Sequence, residues 1–240
     1  MSTWPRSVPL DHPFPQRPKR LYFALTNHCN RACPWCSTCS SPAGRTYLAL
    51  PAFASLLPDG HPWELQLEGG EPTVHPGFWS FVELTRQHPC CRRLVICTNG
   101  ALLPRDREGL SAWLDRCGRP LTVKLSVNHY LLEHDPALLE KACLLRDAAS
   151  SEEGAVMLVV NVRLRRGVDD DDGLVRAAVE RAGLAPHANI FFLQAYGFAA
   201  GHPGWEPPRP VWDNFSLVNP DGAVFGPNLL ARSEAMRRLP

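Results

Sequence analysis

The sequence lacks a dominant charge, a long apolar run and an export signal. Lys plus Arg number 25 against 24 Asp plus Glu, a formal charge of +1, so no broad field is present to hold a polyanion or an anionic membrane surface. Nucleic acid is therefore a disfavoured partner. The longest apolar stretches, such as Ala155 to Val160, fall far short of the ~20 residues of a membrane-spanning helix. The N-terminal MSTWPRSVPLDHPFPQRPKR carries proline and charge where a secretory signal has an apolar core, so the cytoplasm is the default location. Internal repeats and low-complexity tracts are also missing. With 45% apolar and 20% charged residues in 240, composition excludes wholesale disorder and coiled-coil or collagen-like architecture.

Cysteine is absent after Cys143, yet four of the nine crowd into the segment Cys29 to Cys39. An odd, clustered set in an unexported chain argues for metal ligation over a disulfide framework.

Five prolines in residues 1–20 mark an extended arm. From Leu21 onward, short apolar strands alternate with segments of helical period, which predicts βα units around a parallel sheet. The expected strands are Leu21–Leu25, Trp63–Leu67, Arg93–Cys97, Leu121–Val127, Ala155–Leu164 and Asn189–Leu193. Leu110, Trp113, Leu114 and Cys117 share the i, i+3, i+4, i+7 spacing of a helix stripe, and so do Val175, Ala178, Val179 and Ala182. Helical stretches are also expected near 78–88 and 136–149, with a short one near 50–57. After Tyr196 the pattern stops. Residues 201–240 read as a Gly- and Pro-rich linker, a hairpin of Phe215–Val218 and Ala223–Phe225, and a helix-like tail from Asn228.

Cys29, Cys33 and Cys36 give the spacing C-x3-C-x2-C on the loop that leaves the first strand. Soft thiolates suit iron–sulfur clusters or zinc, and three of them leave a four-iron cluster with one iron not bound by cysteine. Structural zinc would recruit Cys39 as the fourth ligand. A ferredoxin-like carrier is disfavoured, since no C-x3-C-P ligand follows. The second strand ends in Glu68-Gly69-Gly70-Glu71-Pro72, where paired glycines permit close backbone approach or positive φ, and a carboxylate could receive an ammonium group.

Together these motifs resemble the radical S-adenosylmethionine (radical SAM) superfamily, with its CxxxCxφC loop (Trp35 standing at φ) and its GGE motif on the next strand. Thr98-Asn99-Gly100, Leu125 to Asn128 and Asn161 to Val168 resemble the family's third-, fourth- and fifth-strand motifs. The resemblance covers residues 21–196. It implies a partial (βα)6 open barrel of TIM-like α/β class, with a core over 21–200 and a small C-terminal cap over 201–240. It further implies that Cys29, Cys33 and Cys36 ligate one [4Fe-4S] cluster, that Gly69, Gly70 and Glu71 meet the ammonium of S-adenosylmethionine (SAM), and that Trp35 lies near the adenine. Ser126 and Asn128 would reach the ribose or carboxylate, while Thr98, Asn161, Arg163 and Gln194 are rim candidates for cofactor or substrate. All these motifs fall at the C-terminal ends of expected strands, where active sites of parallel barrels sit.

The implied chemistry is oxygen-sensitive: one electron from a reducing partner such as flavodoxin or ferredoxin cleaves SAM to methionine and a 5′-deoxyadenosyl radical, which takes a hydrogen atom from substrate. The C-terminal hairpin resembles a SPASM or Twitch extension without cluster cysteines. That tilts the expected substrate towards a peptide or peptide-derived natural product, with a small metabolite or nucleoside as the alternative. A different class, a non-enzymatic iron–sulfur or zinc binding or scaffold protein, would give Gly69–Glu71 no task. Cys39 reads as a loop thiol, Cys97, Cys117 and Cys143 as small core residues, and His28, His75, His129 and Tyr130 as packing or surface groups.

Overall fold

The computed structural model describes residues 19–150, 155–165, 171–206, 208 and 214–240; most of the arm, Arg166 to Asp170 and part of the linker lie outside them. The chain divides into two compact units, one comprising residues up to 94 together with those from 194 onward, the other residues 95–193.

In the first unit, β1 (Arg20–Ala24) lies between β2 (Trp63–Glu68) and β7 (Phe215–Val218), both parallel to it. The register pairs Leu21 with Leu65 and Phe23 with Leu67, and on the alternate face Tyr22 with Gln66 and Ala24 with Glu68. Side chains alternate across a strand, so one face of this sheet is apolar and the other polar. The apolar face packs against α1 (Leu50–Ser55) and α2 (Phe78–Gln87). Phe23, Phe53 and Phe81 meet edge to face at centroid distances of 4.7 and 4.9 Å, all fully buried. Each such side chain contributes about 1.5–3 kcal/mol by burial.

β7 is the first strand of the expected C-terminal hairpin, whose return reaches it through Phe225 N–H to Leu217 O at 2.9 Å. It therefore joins the sheet as well as forming a hairpin. The expected tail helix is α7 (Leu229–Arg237), capped by the Asn228 side chain on Ala231 N at 3.0 Å.

The second unit carries the parallel strands β4 (Leu121–Val127), β5 (Val156–Leu164) and β6 (Ala188–Phe192). β3 (Cys91–Thr98) runs through the boundary and is the strand beyond β2 in the first unit and beyond β4 in the second. The helices are α3 (Arg107–Cys117), α4 (His129–His134), α5 (Leu138–Ser150) and α6 (Asp171–Arg181). The Asp106 carboxylate caps α3 on Gly109 N at 2.7 Å, and Gly118, at φ +70°, ends it. Both units are α/β, with parallel strands alternating with helices, as the sequence pattern predicts.

Two expected core thiols depart from the prediction. Cys117 is fully buried, but Cys97 and Cys143 are half-buried. Cys97 falls between buried Ile96 and Thr98 in the strand alternation, and Cys143 uses its thiol on Ala182 O at 3.5 Å. Among the described residues no helix is long and apolar enough to cross a membrane.

Candidate functional site

The cysteine loop starts where β1 ends, and the hydrogen-bonding between β1 and β2 does not stop with the strands. Leu25 N donates to Glu68 O at 2.8 Å, Gly70 N to Thr26 O at 2.7 Å and Glu71 N to His28 O at 3.0 Å. The glycine turn is thereby laid along the base of the loop, with Cys29 beside it. The same contact explains the glycines. A Cβ on Gly69, at φ +135°, would lie 2.5 Å from Thr26 O, and one on Gly70 would lie 2.0 Å from His28 O and 3.1 Å from the Cys29 Cβ. The space that sequence reasoning reserved for a ligand at this backbone is filled, on that side, by the chain itself.

This packing gathers anionic groups. Cys29 is 7% exposed, and Glu71 is fully buried. One Glu71 oxygen accepts from Thr73 Oγ1 at 2.6 Å and Thr73 N at 3.3 Å. Burial, then the neighbouring Glu71 carboxylate, push the Cys29 thiol from 9.0 up to about 12, with smaller contributions from Cys36 and Cys33. Of these causes, the Glu71 field favours a cation here, while burial disfavours an unpaired charge of either sign. Cys33, Trp35 and Cys36 are half-buried on the same loop. The Cys36 sulfur contacts Thr38 Oγ1 at 3.3 Å and accepts from Ser40 N at 3.4 Å, while Thr38 Oγ1 donates to Gly69 O at 3.1 Å. Three soft donors on one loop, next to a buried carboxylate on the glycine turn, fit an iron–sulfur cluster and a ligand bearing an ammonium group.

Cys39 does not join this set. Its sulfur is turned to α7, where the thiol reaches Ser233 O at 3.8 Å and the Arg237 side chain, and its backbone takes φ +50°.

The C-terminal segment supplies partners that the sequence did not reveal. Arg232, 5% exposed, sets Nη1 2.7 Å from Glu68 Oε1 and donates from Nε to Asn219 Oδ1 at 3.1 Å. Its Nη2 is buried without a hydrogen-bond partner, a deficit of about 1–3 kcal/mol. Ser233 Oγ donates to Ser37 O at 2.8 Å, and Arg237 donates to Gly197 O. Gly197, at φ +66°, has no room for a side chain, since a Cβ would fall 2.2 Å from Cys36 O. Asn27 Nδ2 and Thr46 Oγ1 both donate to Pro240 O, at 2.8 and 3.2 Å. Periodicity and motif spacing carry no trace of such contacts; the Gly after Tyr196 is the one local signal.

The remaining predicted residues fall in the second unit, except Gln194, which is half-buried in the first. Thr98 is buried, and its hydroxyl accepts from Gly100 N at 3.0 Å. Asn128 caps α4, accepting from Leu131 N at 2.9 Å, which commits its carbonyl oxygen to the helix. Ser126 and Asn161 are register partners on β4 and β5, and Asn161 Oδ1 accepts from Asn189 at 3.2 Å. Arg163 lies 5.5 Å over the Phe191 ring, with a buried Nε that has no hydrogen-bond partner. The Thr98–Gly100 turn is held by fully buried Lys141, whose ammonium donates to Gly100 O at 2.8 Å and pairs with Asp135 at 2.7 Å.

His75 is a packing histidine. Its Nδ1 accepts from Gly77 N at 3.0 Å, Nε2 faces Leu48 O at 3.2 Å, and burial lowers its pKa. A second group of ligand-type side chains, Asp59, His88 and Cys90, lies at the other end of β2 and β3 in the first unit. There the Cys90 N–H points at His88 Nδ1 at 3.3 Å, so the neutral ring carries its proton on Nε2, towards Asp59 Oδ1 at 3.4 Å. These contacts make a hydrogen-bonded corner at that end of the strands.

No protein-family model matches the chain. Among curated proteins it is similar to the GTP 3′,8-cyclase of Cronobacter sakazakii, 32% identical over 97 residues that cover 36% of this chain and 28% of the relative. It is also similar to the GTP 3′,8-cyclase of Yersinia pestis, 31% identical over 117 residues, 45% of this chain and 34% of that one. The chain thus spans about a third of the length of the curated relatives it matches. Among solved structures it shares the fold of Streptococcus suis SuiB bound to S-adenosylmethionine, with TM-score 0.55 and 13% identity over 91% of this chain and 62% of SuiB. SuiB bound to its precursor peptide SuiA matches with TM-score 0.54 and 14% identity over 77% of this chain and 41% of that one. The likeness gives the fold as the partial-barrel α/β class expected from the motifs.

Proposed function

We propose that this chain, a member of the radical SAM superfamily, binds one [4Fe-4S] cluster through Cys29, Cys33 and Cys36 and SAM through Gly69, Gly70 and Glu71, and abstracts a hydrogen atom from a peptide-class substrate. The observation that carries this reading is the hydrogen-bonded run from Leu25 to Glu71, which seats a buried carboxylate beside the most buried of the three thiols. When bound and reduced, the cluster supplies the electron that cleaves SAM to methionine and a 5′-deoxyadenosyl radical.

The chain's own residues bind, orient and exclude water. Ligation would require the Cys29 thiol to lose the proton that burial and the Glu71 carboxylate otherwise hold. Glu71, one oxygen of which accepts from Thr73, would receive the ammonium group of SAM on its carboxylate. Trp35 is the aromatic beside the nucleoside. Ser126 and Asn161 are register partners on β4 and β5, and with Thr98, Asn128, Arg163 and Gln194 they are the further residues proposed to contact cofactor or substrate.

The peptide reading draws on the likeness to SuiB, whose structure is known with its precursor peptide. The likeness to GTP 3′,8-cyclases favours a second reading, a nucleoside-type small molecule. A one-electron donor of the flavodoxin or ferredoxin class, and a cytoplasmic setting, complete the proposal. The test is anaerobic: the protein is loaded with iron and sulfide, reduced and given SAM, and 5′-deoxyadenosine is measured beside a Cys33→Ala variant. Production dependent on Cys33 is the expected result. A loaded cluster that neither binds nor cleaves SAM overturns the reading and leaves a carrier or scaffold.

A further inference from the structure

We propose that α7 is a positioning element for the cofactor loops and that Arg232 sets the spacing between the glycine turn and the far half of the cysteine loop; this rests on the reading above. Consecutive residues of the helix touch both. Arg232 Nη1 lies 2.7 Å from Glu68, the residue before Gly69, and Ser233 Oγ donates at 2.8 Å to the carbonyl of Ser37, the residue after Cys36. One turn later Arg237 holds Gly197, and the adjoining Phe198 N donates to Cys36 O at 2.9 Å. The base of the loop, Thr26 to Cys29, is tied to the turn by backbone. Its far half meets the turn through the Thr38 hydroxyl on Gly69 O at 3.1 Å, and α7 is the second link.

The Glu68–Arg232 pair is poorly suited to a purely structural task. Arg232 is 5% exposed and its Nη2 has no hydrogen-bond partner, so the desolvation of both charges is incompletely offset. What apolar side chains cannot supply is direction. The planar guanidinium is fixed at Nε by Asn219 and at Nη1 by Glu68, and this fixes where β2 ends relative to the helix that carries Ser233. The side-chain partners of Arg232 are Glu68 and Asn219 and none of the three proposed iron ligands, so its action passes through Glu68.

The experiment uses the full chain loaded with cluster: the wild type, an Arg232→Lys variant and a Glu68→Leu/Arg232→Met double variant. Melting temperature, iron content, SAM dissociation constant and the change that SAM causes in the electron paramagnetic resonance spectrum of the reduced cluster are measured for each. The double variant takes a hydrogen-bond partner from buried Asn219 and from Gln66, so it is expected to melt somewhat lower than wild type and still to keep its iron. Its SAM dissociation constant is expected to rise about ten- to a hundredfold, the usual cost of losing an outer-shell partner, with a smaller spectral change. Arg232→Lys, which keeps the charge and loses the fork, is expected to fall between. Wild-type SAM affinity and spectral response in the double variant would overturn the proposal, as would a loss of SAM binding that only tracks a loss of melting temperature. A wild-type chain that takes up no cluster, or shows no response to SAM, overturns the reading of the site itself.

Discussion

Replacing Gly70 by alanine tests the packing on which the whole site depends. The new Cβ would sit 2.0 Å from His28 O and 2.6 Å from His28 C, both backbone atoms that cannot rotate away. Carbon and oxygen need roughly 1 Å more, so the turn and the loop base must part by about that distance. Such overpacking costs about 1–3 kcal/mol. The movement also breaks the bonds from Gly70 N to Thr26 O and from Glu71 N to His28 O, at about 1 kcal/mol each. The total, about 3–5 kcal/mol, corresponds to a fall in melting temperature of roughly 6–20 °C for a chain of this size. Gly173→Ala is the control. Nothing lies within 4 Å of its added Cβ, and in an exposed helix the change raises stability by up to about 1 kcal/mol. Melting curves of the metal-free proteins and iron stoichiometry after loading are the measurements. A Gly70→Ala protein that melts with wild type and binds the same iron would refute the argument that this glycine is required by contact between the two loops.

Three further outcomes follow from the site's electrostatics and packing. Because the Cys29 thiol is raised from 9.0 to about 12, the folded metal-free chain holds this proton more tightly than the unfolded chain. The corresponding stability, about 4 kcal/mol, is fully present below pH 9 and lost as pH rises towards 12; urea unfolding at pH 8 and pH 11 should show a steeper loss in wild type than in Cys29→Ala, and equal losses would sink the assignment. Lys141→Met leaves buried Asp135 without its 2.7 Å partner and should cost about 3–5 kcal/mol, whereas exchanging both residues for apolar ones should cost much less, a contrast that denaturant titration reads directly. Cys39→Ser should keep the iron content of the loaded protein while Cys29→Ala, Cys33→Ala and Cys36→Ala each lose it; iron loss in Cys39→Ser would make Cys39 a ligand after all.

β4 was legible because one of its faces is buried along its whole length, whereas β6 has no buried residue. Leu121, Val123, Leu125 and Val127 are all fully buried, and so regular an alternation leaves the register little freedom. The expected and observed limits of the first six strands differ by two residues at most. α4 was missed, since six residues from His129 to His134 are too few for a period to show, and Asn128 reads equally as a turn former and a cap. The three cysteines and the glycine turn could be found because their chemistry is local and their spacing short. Why two glycines are needed could not, for the atoms that exclude a Cβ belong to residues 26–29, some forty positions earlier. Arg232 and Ser233 were invisible for the same reason: in sequence they are an ordinary arginine and serine on a weakly amphipathic tail, and their partners Glu68 and Ser37 are named only by the fold.

The pairing of β7 with β1 sets an order of events during synthesis. The thiols of residues 29–36 leave the ribosome early, but the strand that flanks β1 and the helix that grips Ser37 and Gly197 lie within residues 215–237. A nascent chain halted before residue 214 would carry every iron ligand and lack the frame that holds them in place. On the proposed reading, metal delivery to so short a chain would meet a loose loop, and productive loading would wait for residues 215–237. The distance along the chain between proposed ligand and brace would make the proposed cluster a late addition to the protein rather than a seed for its folding.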